Sequence, residues 1–221
     1  CKKVKSMSNK IQLDIVSDVV CPWCIIGYKR LEKAIKELGV EDQVEIQWHP
    51  FELNPAMPLE GENLREHLAK KYGTTLQDSI RARENLTQLG AELGFQFDYF
   101  DEMRMVNTRD AHMLLQYAHT QGKQAELEMV LFSAFFGQRK NISDRDVLKE
   151  LVQSVGLDAQ QALAQLDNAD AIEALQQAED RWRHMGVNSV PTVVFNMTSA
   201  LTGAQPVEAY KQVLTELLAQ A

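Results

Sequence analysis

The sequence predicts an α/β protein, and three observations predict it. An apolar, β-rich run, Ile11–Val16, leads into a helical pattern carrying Ile25, Ile26, Leu31, Ala34, Ile35 and Leu38, then into a second alternating run, Val44–Trp48. From about Glu62 to Gly186 the apolar residues recur three and four apart almost throughout, which is helical periodicity. The β signal returns only near the end, at Thr192–Phe195 and more weakly at Ser199–Thr202, before a last helical stretch. The expected order is βαβ, a large helical block, then αββα.

Each element carries its own punctuation. The first helix should end near Gly39, where glycine supplies the left-handed conformation a helix stop needs. A strand–helix–strand opening of this size implies a right-handed parallel unit. The second strand runs into His49-Pro-Phe-Glu-Leu-Asn-Pro55 and Pro58, where proline should end the ladder and forbid a long helix. Helices are expected over 63–72, 75–93, 108–119, 126–136, 145–155, 159–166 and 169–185. The last places Ile172, Leu175, Trp182 and Met185 on one face, and Gly186 stops it. Phe95–Phe100 reads as an aromatic, packed loop between helices. Val187–Pro191 opens the third strand, and Gly203-Ala-Gln-Pro206 turns into a helix with Val207, Tyr210, Val213, Leu214 and Leu217. Pro206 suits a first helical turn, where its missing N–H costs nothing.

Composition narrows the class. The chain has 221 residues, 45% hydrophobic and 24% charged, which is ordinary for a globular protein with a sizeable core. Its net charge of −8, from 23 basic and 31 acidic residues, argues against a nucleic-acid partner held by phosphate contacts. No apolar run approaches the roughly 20 residues needed to cross a bilayer. Three cysteines do not make a disulfide scaffold. The short basic start, residues 1–6, reads as an extension ahead of a natural start at Met7, and cytoplasm is the default compartment. A lipidated Cys1 is the alternative.

The chemistry sits at Cys21-Pro22-Trp23-Cys24, at the junction between the first strand and the first helix. Two thiols two residues apart at such a junction suit thiol–disulfide exchange, in which one sulfur attacks and the other resolves the mixed disulfide. A helix start offers unpaired N–H groups and a positive dipole end to a thiolate. A zinc half-site would need a second ligand pair, but the remaining cysteine is Cys1 and no histidine pair lies nearby. A pair of inert core cysteines fits poorly with the intervening Pro-Trp. No metal ligand set and no resident cofactor are expected.

This layout resembles a thioredoxin fold interrupted by a helical insertion, the arrangement of DsbA-like proteins. The landmarks are the Cys21–Cys24 motif, Val190-Pro191 ahead of a strand, and the closing ββα with Gly203–Pro206. More narrowly, Ser17–Cys24, Trp48–Pro55, Asn107–His112 and Gly203–Pro206 are similar to the FrnE branch, related to 2-hydroxychromene-2-carboxylate isomerases and kappa-class glutathione transferases. The resemblance spans about residues 11–218. It implies a discontinuous thioredoxin-like domain, 10–60 and 168–221, around a helical insertion, 61–167.

Site roles follow as expectations. Cys21 is the nucleophile and Cys24, one turn in and more buried, resolves. The resemblance implies a cis bond at Val190-Pro191 and a Val190 backbone that pairs with extended substrate or glutathione. Pro22 and Trp23 belong to the substrate face, with Trp23 either a contact surface or a shield for the thiols. Asp18 either influences the thiols or merely turns the chain. Asn107 reads as an N-cap with Asp110 at the third helical position, and the resemblance implies that Asn107 and His112 face the site. Without it, His112 is an ordinary core-edge histidine beside Ala111, Leu114, Leu115 and Ala118. Met103, Met105 and Met113 read as gap-filling core.

Three functions remain open. The leading one is a dithiol–disulfide oxidoreductase or isomerase acting on a thiol- or disulfide-containing protein or small molecule, with glutathione a candidate co-substrate and the reducing partner unidentified. The alternative is a glutathione-dependent isomerase or transferase of small aromatic compounds, in which serine usually replaces the first cysteine. The third is a non-enzymatic oxidant sensor. A homodimer is compatible with any of them, and a membrane partner with none.

Overall fold

A computed structural model describes residues 10–221. The expectations about Cys1, residues 1–6 and Met7 lie outside the described residues. Strand β1 (Ile11–Ser17) leads through a turn into helix α1 (Pro22–Leu38), and β2 (Val44–Pro50) pairs parallel to β1 from Ile11↔Val44 to Ser17↔Pro50. Helix α1 stops at Gly39, whose φ of 65° is the left-handed stop expected there. The chain returns to the sheet with β5 (Thr192–Phe195) and β6 (Ser199–Thr202), both antiparallel to their neighbours. The sheet order is β2-β1-β5-β6, so strands from both ends of the chain build it.

The parity of β1 and β5 decides what each face buries. Leu13 stands opposite Phe195 and Ile15 opposite Val193, which directs all four into the main core. Val16 and Val194 point the other way, onto Trp182, Phe51 and Val187. The final helix, α9 (Val207–Ala219), packs against α1. Burial is complete at Leu13, Ile25, Leu31, Ala34 and Leu214. At about 1.5–3 kcal/mol for each large apolar side chain removed from water, this face accounts for much of the sheet's stability.

Between the two halves of the sheet lie α2 (Leu64–Tyr72), α3 (Leu76–Glu92), α4 (Arg109–Thr120), α5 (Gln124–Gly137), α6 (Arg145–Ser154) and α7 (Ala159–Ala164). Helix α8 (Ala169–His184) then leads back to β5. Asn63, Asp144, Asp158 and Asn168 each accept a backbone N–H at a helix start, and Thr75 and Asp78 form a reciprocal capping box. Phe95–Phe100 is an irregular packed segment, as its composition suggests, and Phe95, Phe97 and Phe136 meet edge to face. Among the described residues, no helix is long and apolar enough to cross a membrane.

Four expectations needed correction. Strand β2 does not end at Trp48 but runs through His49 to Pro50. It is an edge strand, and Trp48 and Pro50 share the parity that faces away from β1, so the N–H that proline lacks is not needed by the ladder. Phe51, on the other parity, donates to the Ser17 carbonyl at 3.1 Å. The outward Trp48 N–H and C=O are taken by the Gln124 side-chain amide of α5, at 3.0 and 3.1 Å. Helical periodicity also concealed a two-residue ladder, β3 (Glu62–Asn63) with β4 (Arg104–Met105), too short to show a period. The helix expected over 159–166 closes early, its end tightening into a 3-10 turn at Gln165–Asp167. Pro206 is the N-cap of α9, one position ahead of its first turn.

Gly27 shapes the junction between α1 and the C-terminal half. A Cβ built there would lie 3.2 Å from Pro191 Cγ and 3.3 Å from Ala204 Cα. Hydrogen only fits without movement. Gly27→Val should therefore destabilise by about 1–3 kcal/mol, the usual range for overpacking. A chemical-denaturation midpoint that does not fall would show that the loop yields freely.

Candidate active site

Cys21 is the N-cap residue of α1, with extended backbone (φ −92°, ψ 113°) and Pro22 following in the first helical turn. The Cys21 N–H donates to the Asp18 carbonyl at 3.0 Å and the Cys24 N–H to the Cys21 carbonyl at 3.1 Å. These two bonds wind the chain from strand into helix and set one sulfur at the helix mouth and the other one turn inside. Both thiols are free; Cys21 is 6% exposed and Cys24 fully buried. Cys21 is thus more covered than a freely exposed nucleophile, and Trp23 beside it is 40% exposed.

Burial pushes the Cys24 thiol well up, and a hydrogen bond with Cys21 adds to the shift. The Ser17 hydroxyl and the Asp18 backbone oppose it by favouring the thiolate. Ser17 Oγ is itself buried and makes no hydrogen bond in the ordinary range. It lines a cavity of about 10 Å³ shared with His49, His112, Gln124 and Glu128, roughly the room one water requires.

Val190-Pro191 is a cis peptide. Pro191 is buried against α1 beside Gly27, one turn beyond Cys24. The Gly203 N–H donates to the Pro191 carbonyl at 2.7 Å, and Arg30 of α1 donates to the Ala204 carbonyl at 3.2 Å. The Gly203–Pro206 landmark therefore braces the proline loop and ties it to the thiol-bearing helix. Val190 is half-buried, and among the described residues no internal hydrogen bond takes its N–H or C=O.

Asp18, which the sequence left between a turn residue and a thiol modulator, is fully buried. Its Oδ2 accepts from the Leu53 N–H at 2.8 Å and its Oδ1 pairs with His112 Nε2 at 3.0 Å. His112 is 2% exposed, so it supports the active-site turn from beneath instead of lining its surface. Burial alone would lower its pKa, but the Asp18 hydrogen bond and charge outweigh that and hold it at about 9. Asn107 is not the N-cap: Thr108 is, so Asp110 falls at the second helical position. Asn107 instead accepts from the Arg109 N–H at 2.9 Å and donates to the Met57 carbonyl at 2.9 Å. Nothing joins it to either thiol among the described residues.

Sequence reasoning missed the buried acids. Glu128 is 1% exposed on α5, and burial pushes its carboxyl up to about 8. Glu52 is raised to about 7, by burial first and then by Glu179, whose Oε1 takes the Glu52 N–H at 2.7 Å. A signal for Glu128 existed: it is a lone charge inside the apolar run Leu127–Phe132.

The family model for the DSBA-like thioredoxin domain matches residues 12–215. This chain belongs to that family. A probable DsbA oxidoreductase from Streptomyces coelicolor is 28% identical, with a TM-score of 0.89 over 96% of this chain and 91% of that one. The uncharacterised protein YwbO of Bacillus subtilis is 26% identical over 93% of this chain and 96% of its own length. Two more distant structures, each 17% identical, share the fold. They are a 2-hydroxychromene-2-carboxylate isomerase (TM-score 0.70, 95% of this chain and 97% of that one) and the cytosolic disulfide reductase DsbM of Pseudomonas aeruginosa (0.66, 95% and 100%). DsbM has also been solved with GSH. The DsbA-like resemblance and the thioredoxin fold with a helical insertion are thereby established.

Glu52, Glu128 and His112, at about 7, 8 and 9, bind protons more tightly than the same groups in an unfolded chain, at 4.5, 4.5 and 6.5. The folded state therefore holds extra protons, and stability must fall as pH rises. The stabilisation is complete below the unfolded values and is lost as pH passes the folded ones. Glu128→Gln should remove about one proton's slope, ~1.4 kcal/mol per pH unit, between pH 5 and 8. Urea unfolding of both proteins across that range checks this, and an unaltered slope would mean Glu128 is ionised in the folded state.

Proposed function

We propose that this protein is a dithiol–disulfide oxidoreductase in which Cys21 attacks and Cys24 resolves. The observation that carries the proposal is the division of the two sulfurs, one at the mouth of α1 and one fully buried a turn inside, with the braced Val190-Pro191 loop packed against the same helix. The Cys21 thiolate attacks one sulfur of a substrate disulfide, forming a mixed disulfide and releasing the other half as a thiolate. Cys24 then gives up its proton, attacks the Cys21 sulfur and expels the second substrate thiolate. Two electrons pass from the dithiol to the substrate, and the protein is left with a Cys21–Cys24 disulfide.

Resolution requires a buried thiol to ionise in a place where burial opposes it. Ser17 stands at that thiol and shares a one-water cavity with Glu128, a carboxyl poised near neutrality at about 8. The cavity has room for one water to take the proton beside Ser17, while Glu128, at about 8, already holds its own proton near neutral pH. Trp23, exposed between the cysteines, offers apolar surface to the substrate, and the unpaired Val190 N–H and C=O suit an extended backbone. Two equivalents of glutathione would return the disulfide to the dithiol, a co-substrate consistent with the GSH-bound state of the similarly folded DsbM. The FrnE branch and a cytoplasmic setting, in which the dithiol is the resting form, belong to the same proposal. Glutathione-dependent isomerisation is disfavoured by Cys21 itself, which stands where those enzymes usually carry serine.

Cys21→Ser should abolish turnover of a model disulfide, by about a thousandfold or more as expected on loss of a nucleophile. Cys24→Ser should accumulate a mixed disulfide that mass spectrometry detects. If both variants reduce the disulfide at the wild-type rate, the proposal fails.

A further inference from the structure

Strands β1 and β2 end together, with Ser17 opposite Pro50, and β5 begins beside them, with Thr192 opposite Val16. Cys21, Phe51 and Val190 therefore surround one end of the sheet, each within four residues of a strand terminus. Phe51 donates its N–H to the Ser17 carbonyl at 3.1 Å and joins Trp182 and Val187 in a buried cluster on which Val190 packs. Arg183, in the last turn of α8, lies over Phe51, its guanidinium carbon 5.3 Å from the centre of the ring. Side-chain packing thus places a cation against the cluster that carries Val190.

This cation is open to a ligand. The Arg183 side chain is 41% exposed, and its ion-pair partner among the described residues is Asp180, 64% exposed and 3.7 Å away. A pair so exposed contributes little. Arg183 makes no hydrogen bond among the described residues, so its five N–H donors stay available. The other acids near Phe51 are turned inward: Asp18, Glu52 and Glu179 are all buried. Arg181 and His184 add two further basic side chains to the same helix end. In a chain of net charge −8 this rim is locally basic, and the local field decides what an approaching segment meets.

We infer that Arg183 is a specificity-determining residue of the dithiol site. It recognises an acidic side chain on an extended polypeptide that carries the disulfide and pairs with the Val190 backbone. The inference rests on the dithiol reading and adds to it a substrate class, acidic disulfide-bearing segments. No hydrogen bond takes the Val190 N–H or C=O among the described residues, so a segment laid along Val190 has its main chain held there. Its side chains alternate in direction, and those on one side run toward Phe51 and the guanidinium above it. A planar guanidinium matches a carboxylate in two-point contact, and the Phe51 ring beneath steadies it.

The test is single-turnover oxidation of the reduced protein by a set of disulfide-linked peptides. They differ only in carrying Asp, Asn or Lys at one of the two positions on either side of cysteine. At low ionic strength the wild type should favour at least one Asp peptide over its Asn counterpart by about three- to fivefold, the reach of an exposed ion pair. Arg183→Gln should abolish that preference, and Arg183→Glu should turn it into a preference for Lys. A ratio of two rates within one variant cancels any general change in thiol reactivity. Salt at about 0.5 M should erase the wild-type preference by screening exposed charges. Arg181→Glu makes the same change of charge two residues away, on another face of α8, and should retain the Asp preference. No Asp preference in the wild type, one that survives Arg183→Glu, or one lost equally in Arg181→Glu overturns the inference. Wild-type protein that reacts with none of the disulfides overturns the dithiol reading instead.

Discussion

The architecture around the thiols depends on one buried carboxylate. Asp18 lies at the end of β1 with no solvent to carry its charge; two parts of the chain serve its carboxylate, and its backbone carbonyl anchors a third. The exit from β2 supplies the Leu53 N–H, helix α4 supplies His112, and the Asp18 carbonyl receives the Cys21 N–H that begins the turn into α1. Removing any one partner would leave an uncompensated polar group in the interior, which costs far more than the bond contributes. The active-site turn is therefore held by the sheet and by the insertion at once. That dependence explains why a residue 94 positions away in sequence bears on the geometry of a four-residue motif.

The same interior accounts for the division of labour proposed for the two sulfurs. A fully buried thiol resists ionisation, which suits a group that should wait until a mixed disulfide forms above it. Such a thiol needs somewhere for its proton to go, and the insertion helps to wall the one-water cavity beside Ser17 with His112, Gln124 and Glu128. The helical segment thus does more than cover the thioredoxin core. Its Gln124 completes the hydrogen bonding of the outer edge of β2 at Trp48, and its His112 pairs with Asp18.

Much of this was legible in the sequence, for identifiable reasons. The Cys21–Cys24 spacing, the Val190-Pro191 pair and most helix boundaries are local signals, written in residues a few positions apart. Pro50 misled because proline's effect on a ladder depends on which edge the strand occupies, which only the assembled sheet reveals. Asn107 misled by one position, since an Asx turn just outside a helix uses the same residue as a cap. The pairing of Asp18 with His112, and the contact of Glu52 with Glu179, are properties of contact between distant segments. They leave no periodicity to read.

The pairing of β1 with β5 has a consequence for how the protein is made. The strand that precedes the cysteines has its antiparallel neighbour beyond the whole helical insertion. During synthesis the ribosome releases the thiol motif before the proline wall, with the whole insertion between them. Closing so distant a contact is slow by topology. A nascent chain must therefore carry two unshielded thiols until the insertion and β5 have been made, so any device that keeps them from premature oxidation has to act on the growing polypeptide.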